Sequence, residues 1–340
     1  MQPVHRTSVR KFAETFVALV AMSASAVCAQ TPILRYGQAH SATNSIFSLP
    51  IAVAEREGLF KREGLDFRVV IPTPGGSDKM IYALHDDLID VTHVATPFLV
   101  RAALAGSDAV AIAAEFNNPI YSLVARPEIA RFADLKGKLL GMADPGGSIA
   151  ISMRRLLEKN GVSEKDVRLK MIEGTQARFQ CLRRGECIAV PLGQPQDLVA
   201  QSEGFRVLGL SIDANPPYVY TVTAVRKSWA AANKDTVVRY VRGLAASFRF
   251  IRDPAKRSTV VQTIMETTGV TAAIAERTLA LYLEPDRKVL PRQGEIEMAS
   301  LAQVITSMGE AGLLKAPLPA PDRFVDYQYL HAAGVASPSK

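Results

Sequence analysis

Residues 49–71 read LPIAVAEREGLFKREGLDFRVVI, and this stretch sets the class of the fold. Residues 49–57 have helical periodicity. Gly58 and Gly64 can take the left-handed conformations that end helices, because neither has a Cβ to clash. Between them Leu59 and Phe60 are apolar and suited to tuck under a sheet, and the β-branched run 66–71 reads as a strand. A further strand pattern precedes the stretch at 33–37, so the unit is strand, helix, strand. The alternation continues outward with strand patterns at 91–95, 110–115, 121–125, 139–142, 167–171, 189–192, 206–210 and 218–224. Helix-period segments lie between them at 78–84, 148–159 and 176–183. This is the α/β class, with parallel sheets covered by helices. From about Ser228 the strand signals stop, and 237–252, 259–267 and 271–283 read as helices that wrap the body.

Two stiff breaks flank the second block of strands: Asn117, Asn118 and Pro119 before it, Pro216 and Pro217 after it. They predict one lobe inserted into another, two doubly wound lobes joined by a two-crossing hinge. The first lobe is expected over 30–120 and 219–335, the second over 121–218, with a disordered tail at 336–340. No repeat of 20 to 50 residues interrupts this pattern.

At the start of the chain Arg6, Arg10 and Lys11 precede an apolar run over 12–22 that gives way to small residues. That is the order of a secretory signal peptide, and it predicts a periplasmic protein cut after Ala29. The run is too short for a membrane span, which needs roughly 20 apolar residues. Cys28 opens a lipid-anchored alternative, against which stands the bulky Val27 before it. No later run has the apolar length of a membrane helix, so a soluble mature protein is expected. Removing 1–29 takes away three basic residues and one acid, lowering the formal charge from +7 to about +5. With no block of like charges this excludes a nucleic-acid binder and favours attraction of small anions.

The order of motifs resembles the sulfonate, nitrate and taurine type of periplasmic binding protein, the NMT1/THI5-like group. Gly58, Leu59 and Phe60 match its "GLF" turn, and Glu63, Gly64, Leu65 and Asp66 its "EGLD" step. Pro74, Gly75, Gly76 and Ser77 follow, then Ala83, Leu84, Asp90 and Gly106. Asp134, Leu135, Lys136, Gly137 and Lys138 match the "DLKGK" that opens the second lobe, and Gly185 and Glu186 the "LxxGE" step. The likeness covers about residues 33–250. It departs where the group usually has an Asp after "GE", since Cys187 and Ile188 stand there, and in 191–197, which holds Gln194 and Gln196. The resemblance implies a type II binding protein that closes on its ligand, with an ABC transporter permease as partner.

In such sheets ligands bind beyond the carboxyl ends of strands, where loops and helix N-termini present donors. The first candidate loop, 40–48, offers His40, Ser41, Thr43 and Asn44, which also suit a solvated helix cap. Gly76 and Ser77 permit close backbone approach. Thr96 can donate a hydrogen bond, whereas His93 reads as core or as support. Asn118 either reaches the ligand or shapes the crossing. Gly146, Gly147 and Ser148 precede the helix 148–159 and make an anion seat or an ordinary cap. Thr175, with Gln176 beside it, and Gln194 complete the set.

No HExxH, GxSxG, GxGxxG or GxxxxGK[ST] motif is present, and the mature histidines are dispersed, so neither a catalytic centre, a metal site nor a cofactor is expected. Cys181 and Cys187 are the only cysteines beyond the leader, either free or joined in one disulfide. The expected function is capture of a small sulfonate, nitrate-like or carboxylate anion by a monomer serving an ABC importer. A ligand-sensing module is the second reading. The third is an enzyme like the thiamine-pyrimidine synthases of the same broad group, which carry a cysteine cluster absent here.

Overall fold

Gly58 and Gly64 adopt φ of 62° and 71°, and the chain between and around them folds accordingly. Helix α1 (Leu49–Arg56) ends at the first glycine, the short α2 (Leu59–Arg62) at the second. Leu59 and Phe60 are buried, and Phe60 stacks on Phe67 at 4.1 Å and on Tyr240 at 5.4 Å. Burial of each such side chain contributes about 1.5–3 kcal/mol, so the turn is anchored by its apolar pair.

The computed structural model describes residues 31–39, 44–72 and 76–336; the leader and the tail 337–340 lie outside them. The strands, in chain order, are β1 (Ile33–Gly37), β2 (Asp66–Val70), β3 (Val91–Ala95), β4 (Ala109–Asn117), β5 (Ser122–Ala125), β6 (Leu139–Met142), β7 (Arg168–Met171), β8 (Ala189–Leu192), β9 (Arg206–Leu210) and β10 (Val219–Arg226). They form two five-stranded sheets, ordered β2-β1-β3-β10-β4 and β7-β6-β8-β5-β9. The fold is α/β, as the alternation predicts. The sheets are mixed, however, where the sequence reading expected parallel ones. β10 runs antiparallel to β3 and β4, and β5 antiparallel to β8 and β9. These two are the strands that follow each crossing between sheets, and they enter reversed.

Helices α3 (Ser77–His85), α4 (Thr96–Leu104), α5 (Ser148–Lys159), α6 (Thr175–Arg183) and α7 (Gln196–Ser202) each follow a strand. After β10 come α8 (Lys227–Ala232), α9 (Lys234–Arg252), α10 (Arg257–Thr268), α11 (Ala272–Leu283), α12 (Met298–Glu310) and α13 (Gln328–Ala332). This wrap packs on the first sheet. A Cβ on Gly243 of α9 would stand 2.5 Å from Phe60, so the glycine lets the helix lie directly on that ring. The outer edge of β4 is covered too: Asn117 N donates to Val289 O, Ala114 N to Gly294 O, and Ala111 bridges Val325. Covering it removes an open edge that could template aggregation.

The chain crosses between sheets twice, after Asn117 and again after Leu210, and the crossings are stitched together. Asn118, at φ 37°, accepts from Tyr218 N at 2.8 Å and donates to Arg287 O at 2.9 Å. Ser211 accepts from Tyr121 N at 2.9 Å and donates to Pro119 O.

Candidate binding site

A cavity of about 130 Å³ lies between the two sheets, beyond strand ends from which helices begin. From the first sheet's side Gly76, Ser77 and Asp78 at the start of α3, His93 and Ala95 of β3, Phe98 of α4, and Tyr220 and Thr221 of β10 reach it. Gly147, Ser148 and Ile149 at the start of α5, with Gly174, Thr175 and Arg178 at the start of α6, reach it from the other. Three helix N-termini therefore open on one space, each with unpaired N–H groups and a partial positive charge.

Arg178 is the centre of the site's electrostatics. It lies in the first turn of α6, and helical side chains tilt toward the N-terminus, which brings its guanidinium back over the preceding loop. There Nε donates to Pro191 O at 2.8 Å, Nη1 to Ile172 O at 3.1 Å and Nη2 to Thr175 Oγ1 at 3.2 Å. The side chain is 2% exposed. Among the described residues it forms no ion pair with a carboxylate. Burial lowers its pKa, partly offset by Tyr121 and Tyr220; a guanidinium nonetheless keeps its proton in a protein. A buried cation held only by neutral acceptors leaves a large part of its desolvation cost of several kcal/mol uncompensated, and an anion in the cavity would offset it.

The rest of α6 is fixed by the apolar residues that follow Arg178. Phe179, Cys181 and Leu182 enter the second apolar cluster with Val124 and Val190. Cys181 is bonded to Cys187, with Cα atoms 5.3 Å apart.

Around Arg178 the wall is aromatic and hydroxylic. Tyr121 and Tyr220 hydroxyls meet at 3.0 Å, and burial pushes both phenols up in pKa so that they stay neutral. Phe47 lies against Tyr121 at 5.9 Å and Tyr220 at 5.4 Å. Thr221 Oγ1 is buried and hydrogen-bonds to no described protein atom, and Ser148 Oγ is buried beside the Tyr218 hydroxyl, with which it interacts; both residues line the cavity. His93 also lines it, where the sequence favoured a supporting role. Its Nδ1 lies 2.8 Å from Oε2 of the fully buried Glu115, whose Oε1 accepts from Thr223.

The two sides touch across the cleft. A Cβ on Gly147 would stand 3.2 Å from Phe98, and one on Gly146 2.2 Å from Arg101, both residues of α4. On the other rim Gln196 Nε2 donates to Asn44 O at 3.2 Å and Tyr282 OH to Gln194 Oε1 at 3.0 Å. The two sides thus meet at both rims, while the cavity between them keeps an opening to solvent.

A profile of the NMT1/THI5 like family matches residues 46–256. The chain belongs to that family. YtlA of Bacillus subtilis (strain 168) is 27% identical over 238 residues, covering 68% of this chain and 71% of YtlA. Among solved structures the chain is similar to the alkanesulfonate-binding protein SsuA from Xanthomonas axonopodis pv. citri. The TM-score is 0.68 at 18% identity, over 86% of this chain and 97% of SsuA. It is similar also to the periplasmic nitrate-binding protein NrtA from Synechocystis PCC 6803, with TM-score 0.72 at 12% identity, over 90% and 89% of the two chains. The fold is thus the two-lobed periplasmic binding protein fold that the motifs imply. Among the described residues no helix is long and apolar enough to cross a membrane.

Of the residues that the sequence nominates, this family member brings Gly76, Ser77, Gly147, Ser148 and Thr175 to the cavity wall. His40, Ser41 and Thr43 lie outside the described residues. Asn44 sits on the rim, exposed, with φ 58°. Four others are placed away from the wall. Thr96 donates its hydroxyl to Val219 O at 2.7 Å, fixing α4 to β10. Asn118 has both ends of its amide engaged in the crossing. Gly146 is packed on Arg101, and its N–H goes to Asp144 Oδ1 at 2.7 Å. Gln194 is buried between Asp197 and Tyr282. Gly147 N likewise donates to Asp144 O at 3.0 Å, so the free donors of this seat begin at Ser148 rather than at the glycines. The sequence reading assigned no Arg or Lys to the ligand and so missed Arg178. Its one signal is position: Arg178 shares the i, i+3, i+4 stripe of the buried Cys181 and Leu182, where a charge is out of place.

Proposed function

We propose that this chain is the exported solute-binding component of an ABC importer, which captures a small anion by lobe closure and passes it unchanged to an inner-membrane permease. The observation that carries this reading is the buried guanidinium of Arg178, which pairs with no described carboxylate and faces the inter-sheet cavity beside three helix N-termini. Residues 121–218 act as the moving lobe against 30–120 and 219–335, as a monomer, and the stitched crossings at Asn118 and Ser211 form the hinge. The leader at 1–29 directs export and is removed after Ala29.

A thermal-shift screen of small anions tests the reading. A ligand at 100 times its dissociation constant should stabilise the wild type by about 2.7 kcal/mol, and Arg178→Lys, which keeps the charge but loses the fork, should respond far less. A screen in which no anion stabilises the wild type more than Arg178→Lys would overturn it.

A further inference from the structure

Resting on the anion-capture reading, we infer that the ligand is a compact aromatic monocarboxylate, of the size and shape of benzoate, rather than an inorganic oxyanion or a zwitterion. Charge argues for a monoanion. Arg178 is the one buried cation on the described wall, whereas Asp78, Asp144 and Glu173 also border the space. A dianion would gain no second cation and would meet these carboxylates.

The head group follows from counting donors. A guanidinium has five N–H bonds, one on Nε and two on each terminal nitrogen. Arg178 gives one from each nitrogen to Pro191 O, Ile172 O and Thr175 Oγ1. One N–H therefore remains on Nη1 and one on Nη2. Two donors on adjacent nitrogens suit a two-oxygen, planar head, which carboxylate presents. Thr221 Oγ1, buried without a described protein partner, adds hydrogen-bonding capacity from one side, and the Ser148 hydroxyl, beside Tyr218, from the other.

The body follows from the wall and the volume. Phe47, Phe98, Tyr121 and Tyr220 supply four rings to the lining, and the two tyrosine hydroxyls are engaged with each other. Such faces select flat apolar matter by offset and edge-to-face contact. The space of about 130 Å³ is close to the roughly 150 Å³ apolar cavity known to hold one benzene. A nitrate ion would leave most of it unfilled and the rings untouched.

The test uses full-length mature protein in calorimetry with benzoate, cyclohexanecarboxylate, nitrate, taurine and ethanesulfonate as the probes. Benzoate should bind tightest, and cyclohexanecarboxylate, which has the head but not the flat ring, more weakly. Phe98→Leu should weaken benzoate by about three- to tenfold, the span of an aromatic contact, and change nitrate little. Tighter binding of nitrate, taurine or ethanesulfonate than of benzoate overturns the inference while leaving anion capture intact. Equal binding of benzoate and cyclohexanecarboxylate overturns the aromatic part. Absence of binding by every probe, in wild type and Arg178→Lys alike, removes both.

Discussion

Replacing Gly147 by Val separates closure from folding, because the tightest neighbour of the added side chain lies across the cleft. At φ −99° and ψ 160° the backbone is open to any side chain, so no strain arises within the second lobe itself. A Cβ there would stand 3.2 and 3.5 Å from Phe98 Cε2 and Cζ, and 3.4 Å from Asp144 O. An alanine needs the ring to give by a few tenths of an ångström. Valine's two γ-carbons reach further, and overpacking of that kind costs about 1–3 kcal/mol. Phe98 belongs to α4 of the first lobe, so the cost falls on the closed form alone and vanishes when the cleft opens. Affinity for benzoate should therefore drop about 5- to 150-fold, while the melting temperature without ligand stays within a degree or so. Calorimetry and thermal unfolding on the same preparation measure both. Unchanged affinity, or a loss of ligand-free stability as large as the loss of binding energy, would refute the argument that closure presses Gly147 against Phe98.

Three further outcomes are expected. Ser148→Ala and Thr221→Ala should each weaken anion binding by about 1 kcal/mol for one hydrogen bond, whereas Ser163→Ala, which only caps a short turn through Lys165 N, should leave affinity unchanged; equal effects from all three would dissociate the hydroxyls from the ligand. Removing the Cys181–Cys187 bond by Cys181→Ala with Cys187→Ala should cost roughly 2 kcal/mol on the loop-entropy account, read as a lower denaturant midpoint, and a midpoint equal to wild type would show that packing alone holds α6. Hydrogen bonds or charges from basic partners hold Asp66, Asp87, Asp134 and Glu186 below the usual carboxylate range. Their stabilisation is present above the unfolded values and lost as pH falls through the lowered ones, so these four groups should make the melting temperature decline below about pH 4, against which a flat profile to pH 3 would count.

Much of the architecture is legible in the chain because it rests on local patterns. The helix 148–159 is found at the bounds its periodicity predicts, and most other elements within three residues of theirs. What the pattern cannot carry is strand direction. β10 and β5 have the same buried, β-branched character as their parallel neighbours, since a strand covered on both faces reads alike in either sense. The helices α4, α7 and α12 are also missed, the first because Thr96 and Pro97 look like a loop end rather than a helix start.

The site is legible in outline and not in its chemistry, for a physical reason. Glycine and hydroxyl residues before a helix announce an exposed N-terminus, but the same string satisfies its own donors when an Asp precedes it, as Asp144 does for Gly146 and Gly147. Whether a loop is a seat or a cap thus depends on one carboxylate's rotamer, which meets Gly146 N, and on the turn that brings Gly147 N to the Asp144 carbonyl, neither of which sequence fixes. Arg178 is hidden by the opposite effect. Among 40 basic residues its only mark in the chain is its place on the apolar stripe with Cys181 and Leu182, and its role comes from what tertiary packing withholds from it. Many other arginines form salt bridges, such as Arg183 with Glu203 and Arg154 with Glu164, and others, such as Arg252, donate to carbonyls while less deeply buried. Arg178 is turned instead toward carbonyls and a hydroxyl, acceptors that hold the fork in place without neutralising it. A cation so positioned and so under-compensated is costly to fold around, and the cost is consistent with selection for an external anion. On the aromatic-carboxylate proposal the choice of anion falls to the rings of Phe47, Phe98, Tyr121 and Tyr220, three of which are buried as core residues are and so carry no mark of a binding role in the sequence.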